Sequence, residues 1–326
     1  MIKKPVQEKP KNNRSRWIKE NELTLCGRNA CRAAFKNRPE DICRLYFAKE
    51  RSVELKDIKA WCREKKLPYR ELEPDALNKA AGSVHHEGVA MVVRPTKLKS
   101  VYDLTRKDLP KDAVIVALDA MSNTHNLGAI LRSSAFFGAA GVLLASGKEG
   151  QALVTPSAAR VAEGAVEIVP IYNCTDVASA LRDLKARGVF VLGTDNKSSH
   201  SLYEAKISFP CVVVMGNERE GLSKQVRGRC DQIVSVPGCG DMESLNVSVA
   251  AGVVLGEMFR RRKNSTRQVP ERICRIKRKC FVCRRVPRAK APKRIYQIKN
   301  ECLLSKRIPR GKVPERVFQN EVCDAR

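Results

Sequence analysis

The sequence predicts an α/β fold in two parts: a small α/β unit, then a larger domain built on a mostly parallel sheet. Three observations carry this. Six apolar runs, Ala113–Leu118, Val142–Ala145, Val166–Ile171, Val189–Leu192, Cys211–Met215 and Ile233–Val236, recur at regular intervals with helical segments between them. Runs that are apolar throughout, rather than alternating, are strands buried on both faces. Ahead of them, residues 22–95 alternate shorter strand and helix patterns. The charged stretch 96–112, with Pro95 and Pro110 near its ends, reads as a linker.

In the small unit, Gly27 precedes a helical stretch from Arg28 to Lys36. Ile42 to Ala48 is a strand candidate. Val53 to Lys66 places Ile58, Trp61 and Cys62 at helical spacing, and Val89 to Val93 is a last apolar strand after Gly88. In the larger domain, Thr175 is a candidate cap for a helix whose apolar face is Val177, Ala180, Leu181 and Leu184, ended by Gly188. The last helix is expected from Asn246 to Arg262.

The chain of 326 residues carries a net charge of +27, unevenly placed. Residues 263–326 hold 20 Lys/Arg against 5 Asp/Glu, and residues 1–20 hold 7 against 2. The middle is close to an ordinary globular composition. Basic ends gain affinity for nucleic acid by releasing its condensed counterions. Residues 1–21 are therefore read as a disordered basic arm and 263–326 as a solvated basic tail. No run of 18 apolar residues appears, so no transmembrane helix is expected. The basic N-terminus lacks the apolar stretch of a secretory signal. Cys26, Cys31, Cys43, Cys62, Cys174 and Cys211 stand singly in apolar or mixed segments, as reduced thiols do in a cytoplasmic protein. Cys280 and Cys283 have zinc-like spacing but no second pair at a usual distance. His85 and His86 lack a second cluster and read as a turn before Val89. No metal is expected.

Three segments carry candidate chemistry. Asn123-Thr-His-Asn-Leu-Gly-Ala-Ile-Leu-Arg132 comes just after the strand ending at Asp119. A strand, polar turn and helix set Asn126 and Arg132 at the carboxyl end of a parallel sheet, where open α/β folds bind ligands. Arg132, alone among small and apolar neighbours, reads either as a surface arginine or as a bidentate phosphate clamp. Val212-Val-Val-Met-Gly-Asn-Glu-Arg-Glu-Gly-Leu222 runs a strand into Gly216, where a ligand has room to approach the backbone, and sets Glu218 at the strand end. Val236-Pro-Gly-Cys-Gly-Asp-Met-Glu-Ser-Leu-Asn-Val-Ser248 ends a strand in a Gly-rich loop, and Ser244 or Asn246 suits the cap of the helix that follows. The sequence contains neither the glycine fingerprint of dinucleotide-binding folds nor a P-loop.

In this order and at these separations, the three segments resemble the SpoU (TrmH-type) family of RNA 2′-O-ribose methyltransferases within the SPOUT class, and are similar to its YfiF-like subgroup. The resemblance covers roughly residues 22–262. Segment 22–95, with Gly27-Arg-Asn-Ala and His86-Glu-Gly-Val, looks like the family's small L30e-like RNA substrate-binding domain. Residues 113–262 look like its methyltransferase domain. The resemblance implies a trefoil knot, which no periodicity predicts, and a homodimer with residues of the first motif near the partner's cofactor. It implies S-adenosylmethionine as the cofactor, held by Gly216, Val236 and Leu245, with Thr194, Asn217 and Glu218 near. The polar active-site residues map to Asn126, Arg132, Glu218, Ser244 and Asn246. The implied substrate is structured RNA, tRNA or rRNA, methylated at a ribose 2′-hydroxyl in the cytoplasm. The family's first motif reads Asp-Pro-x-Asn where this chain has Asn123-Thr-His-Asn126, and loss of the proline is expected to loosen the turn that aims Asn126. A non-catalytic RNA-binding protein, a base methyltransferase of the same class and a basic ribosome-associated protein are the alternatives.

Overall fold

The computed structural model describes residues 22–106, 109–145, 154–240 and 242–277. The basic N-terminal arm, and the tail beyond residue 277 with Cys280 and Cys283, lie outside the described residues.

The N-terminal part runs β1 (Leu23–Cys26), α1 (Arg28–Asn37), β2 (Ile42–Phe47), α2 (Lys56–Glu64), β3 (Tyr69–Glu71), α3 (Pro74–Ala81) and β4 (Val89–Val93). The strands lie in the order β1-β4-β2-β3, and β4 pairs antiparallel with both neighbours. Every residue of β4 is buried, as its position inside the sheet requires. In α2 the expected face is buried through Ile58 and Cys62. The turn before β4 is built by His86, whose Nδ1 accepts from Gly88 N at 3.0 Å and whose Nε2 meets Asn78 Oδ1 at 2.9 Å. Strands β1 and β3 and helix α3 were not expected; the strands are short, and the polar Tyr-Arg-Glu of β3 carries no apolar run.

The larger sheet has seven strands: β5 (Lys99–Ser100), β6 (Val114–Leu118), β7 (Gly141–Ala145), β8 (Ile171–Cys174), β9 (Phe190–Thr194), β10 (Cys211–Met215) and β11 (Gln232–Val234). Their order is β11-β9-β10-β6-β7-β8-β5, and every neighbouring pair is parallel. The helices are α4 (Val101–Arg106), α5 (Thr124–Phe136), α6 (Pro156–Val161), α7 (Val177–Ala186), α8 (Lys224–Arg227) and α9 (Val247–Lys277). Side chains alternate between two cores, as a pleated strand covered on both faces must arrange them. Val114, Val116, Leu118, Val213 and Met215 face one core with Leu127, Ile130 and Leu131 of α5 and Val254 and Leu255 of α9. Ile115, Ala117, Val212 and Val214 face the other with Leu181 and Leu184 of α7. The first core continues without interruption into Leu25, Leu45, Ile58 and Met91 of the N-terminal part. The two parts thus share one apolar interior.

The structure departs from the sequence expectations at definite places. Val166–Ile171 is not one strand. A short 3-10 turn, Ala165–Glu167, comes first and the strand begins at Ile171. An apolar run alone does not fix its conformation; here Gly164 at φ 88° starts a turn, and Pro170 lacks a ladder donor. The cap of α7 is Asp176 rather than Thr175, its carboxylate accepting from Ser179 N at 2.8 Å. The stretch 96–112 contains the edge strand β5 and helix α4. The last helix continues past Arg262 to Lys277.

Candidate active site at the carboxyl edge of the parallel sheet

Strands β6 and β10 lie side by side with Leu118 opposite Met215. From β6 the chain proceeds outward through β7 and β8, then returns to build β9 and β10 on the other side. This reversal opens a crevice at the carboxyl ends of β6 and β10, the place where open α/β sheets bind ligands. The loops after four strands are fastened together there. Thr194 Oγ1 donates to Val214 O at 2.9 Å, and Asp195 N to Val234 O at 2.9 Å. Asn196 Nδ2 donates to Glu243 O at 3.2 Å, and Asn217 Nδ2 to Ala120 O at 2.8 Å.

Helix α5 begins at this crevice. Its cap is Asn123, whose side-chain oxygen accepts from His125 N at 2.8 Å and Asn126 N at 3.3 Å. Asparagine caps as well as aspartate does. The turn is therefore closed without a proline, and the loosening expected from Asn123-Thr124 is not found. It delivers Asn126, buried to 9% exposure, into a defined position. Asn126 Nδ2 donates to Glu218 Oε1 at 2.9 Å, and Asn126 Oδ1 accepts from Asn246 Nδ2 at 3.2 Å. Asn246 Oδ1 in turn accepts from Ser248 N at 2.8 Å, which holds it at the start of α9. Residues from three separate segments, 92 and 120 positions from Asn126, thus form one hydrogen-bonded row.

The remaining expected residues sit around this row. Glu218 is otherwise exposed, and Ser244 and Leu245 lie on the exposed loop before α9. Val236 is half-buried two residues past the end of β11. Gly216 is buried for a reason that the sequence did not suggest. A Cβ there would lie 2.4 Å from Gly221 C and 2.6 Å from Gly221 O, because the loop folds back on itself through Asn217 N to Gly221 O and Gly221 N to Asn217 O. The glycine first admits its own loop.

Arg132 stands apart. Six residues of helix turn it about 120° from Asn126 and move it about 9 Å along the axis. Among the described residues, its one hydrogen-bond and ion-pair partner is Glu163, Nη1 to Oε1 at 2.7 Å, and its side chain is 58% exposed. It opens onto a cleft of about 550 Å³ whose lining includes Gly27, Asn29, His85, Glu87 and Arg160. That cleft lies between α5 and the N-terminal part.

The segment on which Glu163 stands was not singled out by sequence. It packs closely on both neighbours. A Cβ on Gly128 of α5 would lie 2.5 Å from Ala158 O, and one on Gly164 would lie 2.6 Å from Ala33 Cβ of α1. Glu167 of the same segment receives Arg38 in two hydrogen bonds of 2.7 Å, with side-chain exposures of 3% and 13%. Burial opposes the charge on Arg38, but the Glu167 and Asp41 carboxylates together raise the guanidinium pKa above its ordinary value. Asn29, in the Gly27-Arg-Asn-Ala segment, donates to Glu163 Oε2 at 3.1 Å.

A parallel sheet with a polar row at its switch point, beside a cleft against a second sheet, has the layout of a ligand-binding α/β protein. Residues 113–256 match the SpoU rRNA methylase family, and residues 24–98 match the RNA 2′-O-ribose methyltransferase substrate-binding module. The chain is 32% identical over 248 residues to the 23S rRNA (guanosine-2′-O-)-methyltransferase RlmB of Photobacterium profundum, covering 73% of this chain and 98% of that one. It is 33% identical over 242 residues to the uncharacterized tRNA/rRNA methyltransferase YfiF of Escherichia coli O157:H7, covering 74% and 69%. Its fold matches the SpoU methyltransferase AviRb of Streptomyces viridochromogenes in complex with AdoMet, with a TM-score of 0.62, 25% identity and coverage of 77% and 94%. The chain belongs to the SpoU family of S-adenosylmethionine-dependent RNA 2′-O-ribose methyltransferases.

Proposed function

We propose that Asn126, Arg132, Glu218, Ser244 and Asn246 carry the transfer of a methyl group to a ribose 2′-hydroxyl of tRNA or rRNA. The Asn246–Asn126–Glu218 row is the observation that carries this reading. It joins three of the five residues at the sheet's switch point, so the site is preorganised before substrate arrives. S-adenosylmethionine is held, on this reading, by Gly216, Val236, Leu245, Thr194 and Asn217, with Glu218 at its edge. These residues fit such a group. The loops are tied to one another through Thr194 and Asn217, while Met242 and Leu245 leave apolar surface uncovered, at 81% and 51% exposure, which an aromatic base would shield. When bound, the group supplies the methyl and the leaving group.

The protein must then align a ribose oxygen and favour its charged form. Arg132 offers a planar guanidinium fork of N–H donors. Its role is electrostatic: it fixes the phosphate beside the target ribose and stabilises the developing alkoxide. Asn126, held at both ends of its amide, orients the ribose, and Glu218 accepts from Asn126 and sets the polarity of the row. Ser244 adds a hydrogen bond from its exposed loop.

Because Arg132 points away from the row of its own chain, the working site is composed between two protomers, with Arg132 of one serving the row of the other. Phe136 on α5 and Val249 on α9, 82% and 53% exposed, favour an apolar contact between copies. The trefoil knot belongs to this reading, supported by the tying of the 195–205 loop to Ser235 and Glu243. So does the domain division into an L30e-like part at 22–95, a linker at 96–112 and a methyltransferase part at 113–262. The buried free thiols Cys26, Cys31, Cys62, Cys174 and Cys211 support a reducing cytoplasm. No helix among the described residues is long and apolar enough to cross a membrane.

Methyl transfer from labelled S-adenosylmethionine to total RNA from cells lacking the protein tests the reading. Nuclease digestion and mass spectrometry of that RNA should place the label on a ribose. Label on a base would overturn it.

A further inference from the structure

The function of Arg132 leaves its partner unexplained. Glu163 uses both carboxylate oxygens: Oε1 accepts from Arg132 at 2.7 Å, and Oε2 accepts from Asn29 Nδ2 at 3.1 Å. One acid thus connects the arginine of the methyltransferase part to the first turn of α1 in the N-terminal part. The Glu163 backbone, at φ 46°, sits in the left-handed region, and the following Gly164 is pressed against Asn29 O and Ala33. This carboxylate thus stands on a turn past the end of α6 that is packed against the N-terminal part. Its Oε1 engages Nη1 of the guanidinium, one of the donors that a phosphate oxygen would also use.

We infer that Glu163 is a positioning residue: an internal anion that occupies Arg132 in the free enzyme and yields it to an RNA phosphate, with Asn29 tying the exchange to the substrate-binding part. This rests on the assignment of Arg132 to the reaction. Arg132 and Glu163 are 58% and 36% exposed in their side chains, so their pair is weak enough to be displaced. Neighbouring charges lining the cleft include Arg160 and Glu87, so Arg132 does not face a uniformly acidic wall. Removal of the Glu163 charge removes the competitor. Removal of the Asn29 amide frees one oxygen of Glu163 and leaves the competitor in place.

The test uses the full chain, S-adenosylmethionine and total RNA from cells lacking the protein. Glu163→Gln should lower the RNA KM by roughly two- to fivefold, the span of an exposed ion pair, with kcat and the thermal midpoint held. Asn29→Ala should leave kcat within about twofold and shift the RNA KM less than Glu163→Gln does. RNA binding by anisotropy, measured for Glu163→Gln in the wild-type and Arg132→Ala backgrounds, closes the cycle. The gain should vanish without Arg132. A gain that persists there means plain charge repulsion and overturns the inference while leaving the site intact. An unchanged or raised KM in Glu163→Gln also overturns it, and a fall in kcat and thermal midpoint together assigns Glu163 a folding role instead. Full methylation by Arg132→Ala would instead sink the assignment of Arg132, whatever the binding cycle gives.

Discussion

Two arginines meet two carboxylates of one short segment, four residues apart, and the two pairs differ in almost every physical respect. Arg38 and Glu167 are nearly sealed from water and joined by two hydrogen bonds of 2.7 Å. Arg132 and Glu163 make one hydrogen bond with more than half of the arginine side chain in solvent. A buried pair cannot lose one member cheaply, because the other is left as an unsolvated charge. An exposed pair is worth little and exchanges readily. The first pair locks the N-terminal part against the methyltransferase part. The second leaves an arginine available beside the same junction. Tight docking of the N-terminal part and an exposed, weakly held arginine are thus provided by neighbouring residues.

The largest expected effect breaks the locked pair. Glu167→Ala should cost on the order of 3 kcal/mol, read as a lowered denaturant midpoint, because it leaves the buried Arg38 with only the longer Asp41 contact at 3.4 Å and the Arg94 carbonyl. An effect near zero would mean that water reaches the pair. Next, Arg132→Ala should lower turnover by about 100-fold or more, with cofactor binding by calorimetry and thermal midpoint kept. Loss of cofactor binding as well would give Arg132 a structural task like that of Arg38. Asn123→Ala removes the cap that aims Asn126 and should cost about 1 kcal/mol of stability together with activity; loss of stability alone would detach the cap from the site.

A smaller effect follows from acid. Hydrogen bonds from Arg260, opposed by burial and helped by Arg261, hold the Glu257 carboxyl below its ordinary value of 4.5. Arg261 also donates to Leu202 O at 2.8 Å and Ala205 O at 2.5 Å, so this group fastens α9 to the 195–205 loop. A depressed folded pKa means that the contribution is complete above the unfolded value and lost as pH falls through the folded one. Below about pH 4.5, wild type should lose stability more steeply than Glu257→Gln, measured by thermal melts across pH. The smallest effect is on the exposed pair: Glu163→Gln should change stability by less than about 1 kcal/mol, in contrast to Glu167→Ala.

The contrast also explains what the sequence could disclose. Strands β6, β7, β9 and β10 were legible because burial on both faces leaves unbroken apolar runs. Asn126, Glu218 and Asn246 were legible as a set through the resemblance of their three motifs to the SpoU family. Their mutual hydrogen bonds were not, since they join segments far apart in the chain. Arg38, Glu163 and Glu167 gave no signal, being charges within mixed segments whose partners lie 129 residues away for Arg38 and 31 for Glu163. The same six-residue spacing that made Asn126 and Arg132 one motif places them on different faces of α5. Reading the motif as a single cluster missed this consequence of helical geometry. Burial also accounts for the quiet cysteines: it pushes the thiols of Cys174 and Cys211 up to about 12 and that of Cys230 to about 11, far from reactivity at neutral pH.

The separation of Arg132 from the Asn126 row makes the composite site the central claim, and subunit mixing tests it. Arg132→Ala and Glu218→Ala chains, each inactive alone, are unfolded together, refolded and assayed for methyl transfer. If Arg132 of one protomer serves the row of the other, mixed dimers contain one complete site, and activity should return to roughly a quarter of the wild-type level, the share set by random pairing in a symmetric dimer. No recovery, with mixed dimers demonstrated by mass spectrometry, would show that both residues act within one chain and would contradict the account.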